Sequence, residues 1–237
     1  MTPILFAHLP KTAGRSIRFW LAKELGSGLK WFRGGNILYS KEKFQTLLAG
    51  GKLNNPRDYF RAKVIGGHDA AFWHADLAGW REFEAITILR DPAERMYSQY
   101  QHFSRKGEMP PGLTFPEWAG GEYTSTWGLC HCLWCYYKPG NKHKSNPMAW
   151  FYAARTLIQP PDNPLEAARD FLQQAKTYRM DQVGDAVTET ARLLEISAEG
   201  YSSFDITGSG ASIPDDYRKL VAKSHPLDYL LWEEFGG

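Results

Sequence analysis

Ile4-Leu5-Phe6-Ala7-His8-Leu9-Pro10-Lys11-Thr12-Ala13-Gly14-Arg15-Ser16 sets a short apolar run against a tight Pro-Lys-Thr-Ala-Gly turn, and residues 16–25 behind it predict a helix. Strand, small-residue loop with a lysine, then helix is an order that builds an anion site. A helix leaves its first amide N–H groups without intrahelical partners, and its dipole favours negative charge at that end. Thr12, Ala13 and Gly14 are small enough to let a phosphate or sulfate approach the backbone, and Lys11 adds a mobile positive charge. This is not a Walker A loop: G-x-x-x-x-G-K-[ST] is absent, and the lysine precedes the glycine.

A second stretch repeats the theme. Glu84-Ala85-Ile86-Thr87-Ile88-Leu89 predicts a buried strand, and Arg90-Asp91-Pro92-Ala93-Glu94-Arg95-Met96-Tyr97-Ser98-Gln99-Tyr100 follows it. Asp91 can cap a helix whose first turn suits Pro92. Arg90 then stands at a strand end, with Ser98 about two turns along the next helix.

Together these stretches resemble the carbohydrate-type branch of the sulfotransferase superfamily, the branch that includes heparan sulfate 2-O-sulfotransferase. His8 to Ser16 is similar to the segment that holds the 5′-phosphosulfate of 3′-phosphoadenosine-5′-phosphosulfate (PAPS) in that family. Leu89 to Tyr100 is similar to the segment that holds the 3′-phosphate. The resemblance implies PAPS as sulfuryl donor, 3′-phosphoadenosine-5′-phosphate (PAP) as product, and no required metal. It implies cofactor binding by Lys11, Thr12, Ala13, Gly14, Arg15, Ser16, Arg90 and Ser98. Arg15 stands where the family often has threonine, and a guanidinium there can pair with an anion.

With 237 residues, 43% of them hydrophobic and 23% charged, the chain suits one sizeable α/β domain. The resemblance gives that domain its expected form: a P-loop-like, three-layer fold, with a central parallel sheet flanked by helices. A net charge of only +2 argues against a general polyanion binder, and no nucleic-acid partner is expected. The three cysteines, Cys130, Cys132 and Cys135, are an odd, clustered set and not a secreted disulfide framework. No second Cys or His pair at zinc-finger spacing follows them, so reduced core thiols are expected and not a metal site. Pro10 and Lys11 interrupt any early apolar run, and no segment approaches the roughly 20 apolar residues of a membrane span. The expected location is the cytoplasm.

Further along, residues 26–35 predict a loop, 40–48 a helix and 61–66 a short central strand. That strand delivers Gly67-His68 to its C-terminal end, where open α/β sheets place their chemistry. A hydroxyl acceptor needs a base, and an imidazole of pKa about 6.5 suits the task near neutral pH. The resemblance strengthens that role for His68. His8, in line with Ile4 and Phe6, is expected to be a packed side chain. Residues 105–164 lose regular patterning and read as an acceptor-binding insertion, rich in aromatics and containing a basic loop, Lys138 to Lys144, whose Lys142 and Lys144 could meet an anionic acceptor. Residues 165–178 predict a helix, 180–184 a final strand, 187–195 a helix with an early Glu189, and 214–223 and 226–235 two closing helices.

The expected reaction moves the sulfuryl group of PAPS to a hydroxyl of an acceptor glycan, glycolipid or small alcohol. His68 serves as base, and Lys11 stabilises the departing phosphate. A nucleotide-dependent kinase is disfavoured by the missing Walker A loop and the lack of a clear acidic pair for Mg²⁺. A non-catalytic nucleotide-binding module would need neither Lys11 nor His68 together.

Overall fold

A computed structural model of the chain describes residues 2–32, 61–67, 82–107, 109–119, 163–202 and 213–236. Among these, β1 (Ile4–Ala7), β2 (Leu29–Phe32), β3 (Val64–Gly67), β4 (Glu84–Leu89) and β5 (Lys176–Arg179) form one sheet in the order β2-β3-β1-β4-β5. Every pairing is parallel. Central strand β1 is bonded on both edges, with Ile4 opposite Val64 and Glu84, and Ala7 opposite Gly67 and Thr87. All four of its side chains are buried, as a strand covered on both faces requires.

Two apolar clusters hold the fold together, one of them against the sheet. Alternation turns Ile4, Phe6, Val64, Ile86 and Ile88 to one face. There they pack against Ile17, Trp20 and Leu21 of α1 (Gly14–Leu25) and Val183, Val187 and Leu194 of α5 (Val183–Leu194). A second cluster joins Met96 and Phe103 of α2 (Pro92–Arg105), Phe115 and Trp118 of α3 (Phe115–Ala119), and Val221 of α6 (Asp215–Ser224). Aromatic edges lock it, with Phe115 centred 4.8 Å from Tyr217 and 5.3 Å from Tyr97. Helix α4 (Pro164–Gln174) begins where the Asn163 side chain accepts from the Leu165 and Glu166 amides, and α7 (Pro226–Phe235) closes the chain.

Several boundaries depart from the pattern in the sequence, among them the helix expected over 187–195, which begins at Val183, and the strand expected over 61–66, which runs Val64–Gly67. The helix expected over 165–178 stops at Gln174, and the last strand is Lys176–Arg179, not 180–184. Ala175 is already extended, and Met180–Gln182 forms a 3₁₀ turn in which the Gln182 side chain accepts the Arg179 amide N–H. A Lys-Thr-Tyr-Arg strand carries no apolar run because it is an outer strand whose side chains are only half buried. Strand β2 lies inside the stretch expected to be a loop, paired through β3 with Trp31 opposite Gly66. A Cβ on Gly66 would come within 2.6 Å of the Trp31 ring, so the bare glycine is the notch that seats it. The closing helices fall within a residue of expectation, whereas the segment expected as helix over 40–48, Cys130, Cys132, Cys135 and most of the 105–164 insertion lie outside the described residues.

Lys176 on β5 holds the outer strand in place electrostatically. Its ammonium lies 3.0 Å from Glu84 on β4 and 2.5 Å from Glu189 on α5, and Arg192 donates to Glu189 from 2.7 Å. Hydrogen bonds from Arg192 and then Lys176 hold the Glu189 carboxyl down to about 2. Because its folded value lies below its unfolded value of about 4.3, Glu189 stabilises the fold above that unfolded value. That contribution is lost as pH falls toward 2. We expect Glu189→Gln to lower the thermal midpoint at pH 7, with the difference from wild type closing between about pH 4.5 and pH 2. A pH series of melting curves checks this, and a constant difference across the window would contradict it.

Candidate functional site

Parallel strands deliver the loops after β1, β3 and β4 to the same edge of the sheet. After Ala7 the chain stays attached to its neighbour, because the His8 amide donates to the Gly67 carbonyl at 3.1 Å. It then turns sharply. Lys11 and Ala13 both adopt left-handed backbone conformations, at φ 73° and 59°. Such conformations cost a non-glycine residue roughly 1–2 kcal/mol each. Buried Thr12 braces the turn by donating its hydroxyl to the Leu9 carbonyl at 2.7 Å.

Gly14 opens α1 directly against the His8 imidazole. An added Cβ would lie 2.0 Å from His8 Nε2, and the ring also meets Trp31, centroid to centroid 5.8 Å. His8 is therefore the packed side chain that alternation predicts, and it fixes how closely the turn approaches the sheet. Among the described residues no side chain caps the start of α1, and no acidic residue lies in its first turn to oppose the positive end of the helix. Arg15 is exposed and lies 5.8 Å above the Phe19 ring. Ser16 is buried, with its hydroxyl bonded to that of Tyr201, a phenol that burial pushes up in pKa. Tyr201 meets Trp20 edge-on, and Trp20 donates to the Ser197 carbonyl at 3.0 Å, tying α1 to the loop after α5.

The second stretch arrives beside the first. Buried Thr87 donates to the Ala7 carbonyl at 2.7 Å, locking β4 to β1 just before the strand ends. Arg90 follows, its side chain 13% exposed, with Nη1 donating to the Lys11 carbonyl at 3.4 Å. This contact joins the two stretches across 79 positions of sequence. Burial lowers the Arg90 pKa and Glu94 opposes the effect; a guanidinium remains charged at neutral pH regardless. Asp91 caps α2 by accepting the Glu94 amide at 2.9 Å, as its position before Pro92 predicts. Ser98 is half buried about two turns along the same helix.

Sequence patterns did not point to Arg218 on α6, which reaches back to this corner. Its two terminal nitrogens lie 2.9 Å from Asp91 Oδ2 and 3.0 Å from Glu94 Oε1. Tyr229 on α7 lies close by, its phenol pushed up to about 12 by burial and by the Asp91 carboxylate. His68 lies outside the described residues, although Gly67 before it ends β3 at the same edge. Among the described residues no group of His, Cys, Asp and Glu could hold a metal ion, and no helix is long and apolar enough to cross a membrane.

The Gly14–His8 approach carries a testable consequence. Gly14→Ala should destabilise the fold by about 1–3 kcal/mol, because the imidazole, which also meets Trp31, has little room to yield. Urea denaturation measures this, and a stabilised variant, as helix propensity alone would give, would refute the close approach.

No family model matches the chain, and no curated protein matches it. Among solved structures, the crystal structure of a sulfotransferase from Alicyclobacillus acidocaldarius superposes with a TM-score of 0.48 and 14% identity, covering 98% of this chain and 96% of that one. A likeness this loose carries no functional argument.

Proposed function

We propose that this chain is a sulfotransferase that uses PAPS to sulfate a hydroxyl of a carbohydrate, glycolipid or small-alcohol acceptor. The observation that carries the reading is the contact of the Arg90 guanidinium with the Lys11 carbonyl. It supports a single site in which both sequence stretches act on one doubly anionic nucleotide. A site for that nucleotide needs two separated cationic centres, and the donor set fits: a helix start beside Lys11 with no acidic residue in its first turn, and a desolvated arginine at the next strand end.

In this reading the amides of residues 12–16 hold the 5′-phosphate, with the Arg15 guanidinium near the same helix end. Arg90 and Ser98 grip the 3′-phosphate. The acceptor oxygen forms a bond to sulfur as the bond from sulfur to the 5′-phosphate oxygen breaks. His68 takes the acceptor's proton, and Lys11 stabilises the charge that develops on the departing phosphate. Positioning and charge neutralisation supply most of the catalysis, since a loose in-line transition state demands little covalent help.

Calorimetry of PAP against adenosine 5′-phosphate tests the reading. Wild type should prefer PAP, and Arg90→Ala should weaken PAP binding roughly tenfold to hundredfold while leaving adenosine 5′-phosphate nearly unchanged. Indifference of the wild type to the 3′-phosphate would refute it. For the base, His68→Ala should reduce turnover by about 10²–10⁴ with PAP affinity retained. Equal loss of turnover and PAP affinity would remove His68 from that role.

A further inference from the structure

Four charged groups meet at the first turn of α2, and their geometry is uneven. Arg90 Nε stands 3.5 Å from Glu94 Oε2, a loose pairing. Arg218 Nη2 bonds the other oxygen of the same carboxylate, Glu94 Oε1, at 3.0 Å. Its remaining terminal nitrogen, Nη1, takes Asp91 Oδ2 at 2.9 Å. Asp91 meanwhile uses its other oxygen to cap the helix through the Glu94 amide. The arginine on α6 is thus a clamp across both acidic residues of the turn, and the arginine at the strand end keeps only the weaker share of Glu94.

Charge makes the consequence concrete. Within this set of described ion pairs, the charges of Arg90 and Arg218 balance those of Asp91 and Glu94. Without Arg218 the same corner would carry one excess negative charge. Glu94 would then be released to close on Arg90, its other ion-pair partner among the described residues. Arg90 is nearly buried, so the two groups would attract each other through a medium less screening than water. An anion approaching Arg90 would have to displace that carboxylate and face an uncompensated Asp91.

We propose that Arg218 is a positioning residue: by binding Asp91 and one oxygen of Glu94 it limits the hold of these carboxylates on Arg90, so that the Arg90 guanidinium is available to the 3′-phosphate of the nucleotide. The inference rests on the sulfotransferase reading for the identity of that phosphate. Its geometric basis is independent of the reading.

The test compares wild type, Arg218→Ala, Arg218→Lys and the double variant Arg218→Ala/Glu94→Gln in calorimetric titrations with PAP and with adenosine 5′-phosphate. Thermal midpoints are recorded in parallel. Arg218→Ala should raise the Kd for PAP about fivefold to tenfold, with adenosine 5′-phosphate binding held within about twofold. Arg218→Lys should fall between, since a single ammonium cannot bond both carboxylates in one plane. Removing the charge of Glu94 should restore most of the lost PAP affinity in the double variant. Rescue separates this role from a structural one, because neutralising a second member of the cluster cannot repair a damaged fold. Equal loss for both nucleotides, or no rescue, would overturn the proposal while leaving the 3′-phosphate preference of the wild type intact. A wild type without that preference would remove the sulfotransferase reading itself, and the role of Arg218 with it.

Discussion

Everything at the candidate site depends on β1 being bonded along both edges. A parallel strand with neighbours on each side cannot slide without breaking two ladders, and a slip of one residue would turn its buried side chains to the wrong face. Thr87 reinforces the register by donating its hydroxyl to the Ala7 carbonyl, in the last rung of the β1–β4 ladder. The turn after β1 and the arginine after β4 are consequently held at one height. That shared height brings Arg90 to the Lys11 carbonyl, although the two residues are far apart in sequence.

Charges at the sheet edge serve two purposes under different physical conditions. Lys176, Glu84, Glu189 and Arg192 form a solvated cluster that pins the outer strand β5, and salt and pH act on it freely. The corner at Arg90 is different. There the guanidinium is largely withdrawn from water, and its partners are shared with α6. Glu94 and Arg218 remain more than a third exposed, so water still screens their part of the corner, and the withdrawn charge is that of Arg90 itself. One helix contributes the cap, and another supplies the arginine that pairs with it.

How far the sequence revealed this arrangement varied with the kind of signal each residue left. Continuous apolar runs identified β1 and β4, and Asp91 before Pro92 marked the start of α2, because burial and capping leave local patterns. Strand β5 left no such trace: Lys-Thr-Tyr-Arg is a strand because β4 offers it backbone partners, not because its side chains need burial. Trp31 belongs to β2 through a notch made by Gly66, a long-range fit that no window of sequence displays. At the site, Lys11, Gly14 and Arg90 were legible from spacing. Arg218 and Tyr201 were not, since each acts through tertiary approach and neither sits in a motif.

The hydroxyls near the turn sharpen what kind of recognition this edge can perform. Thr12 is engaged with Leu9, Ser16 with Tyr201 and Thr87 with Ala7, so three small polar side chains serve the scaffold. On the proposed reading, recognition of an anion at this turn falls to backbone amides and to the cationic side chains. Backbone amides in a braced turn do not need to reorganise when a ligand arrives, and such preorganised donors are most effective where water is excluded. The left-handed conformations of Lys11 and Ala13 are the energetic cost of presenting those amides. The buried Thr12 bond and the imidazole packed on Gly14 offset it, so the stability of the fold and the shape of the turn rest on the same few contacts.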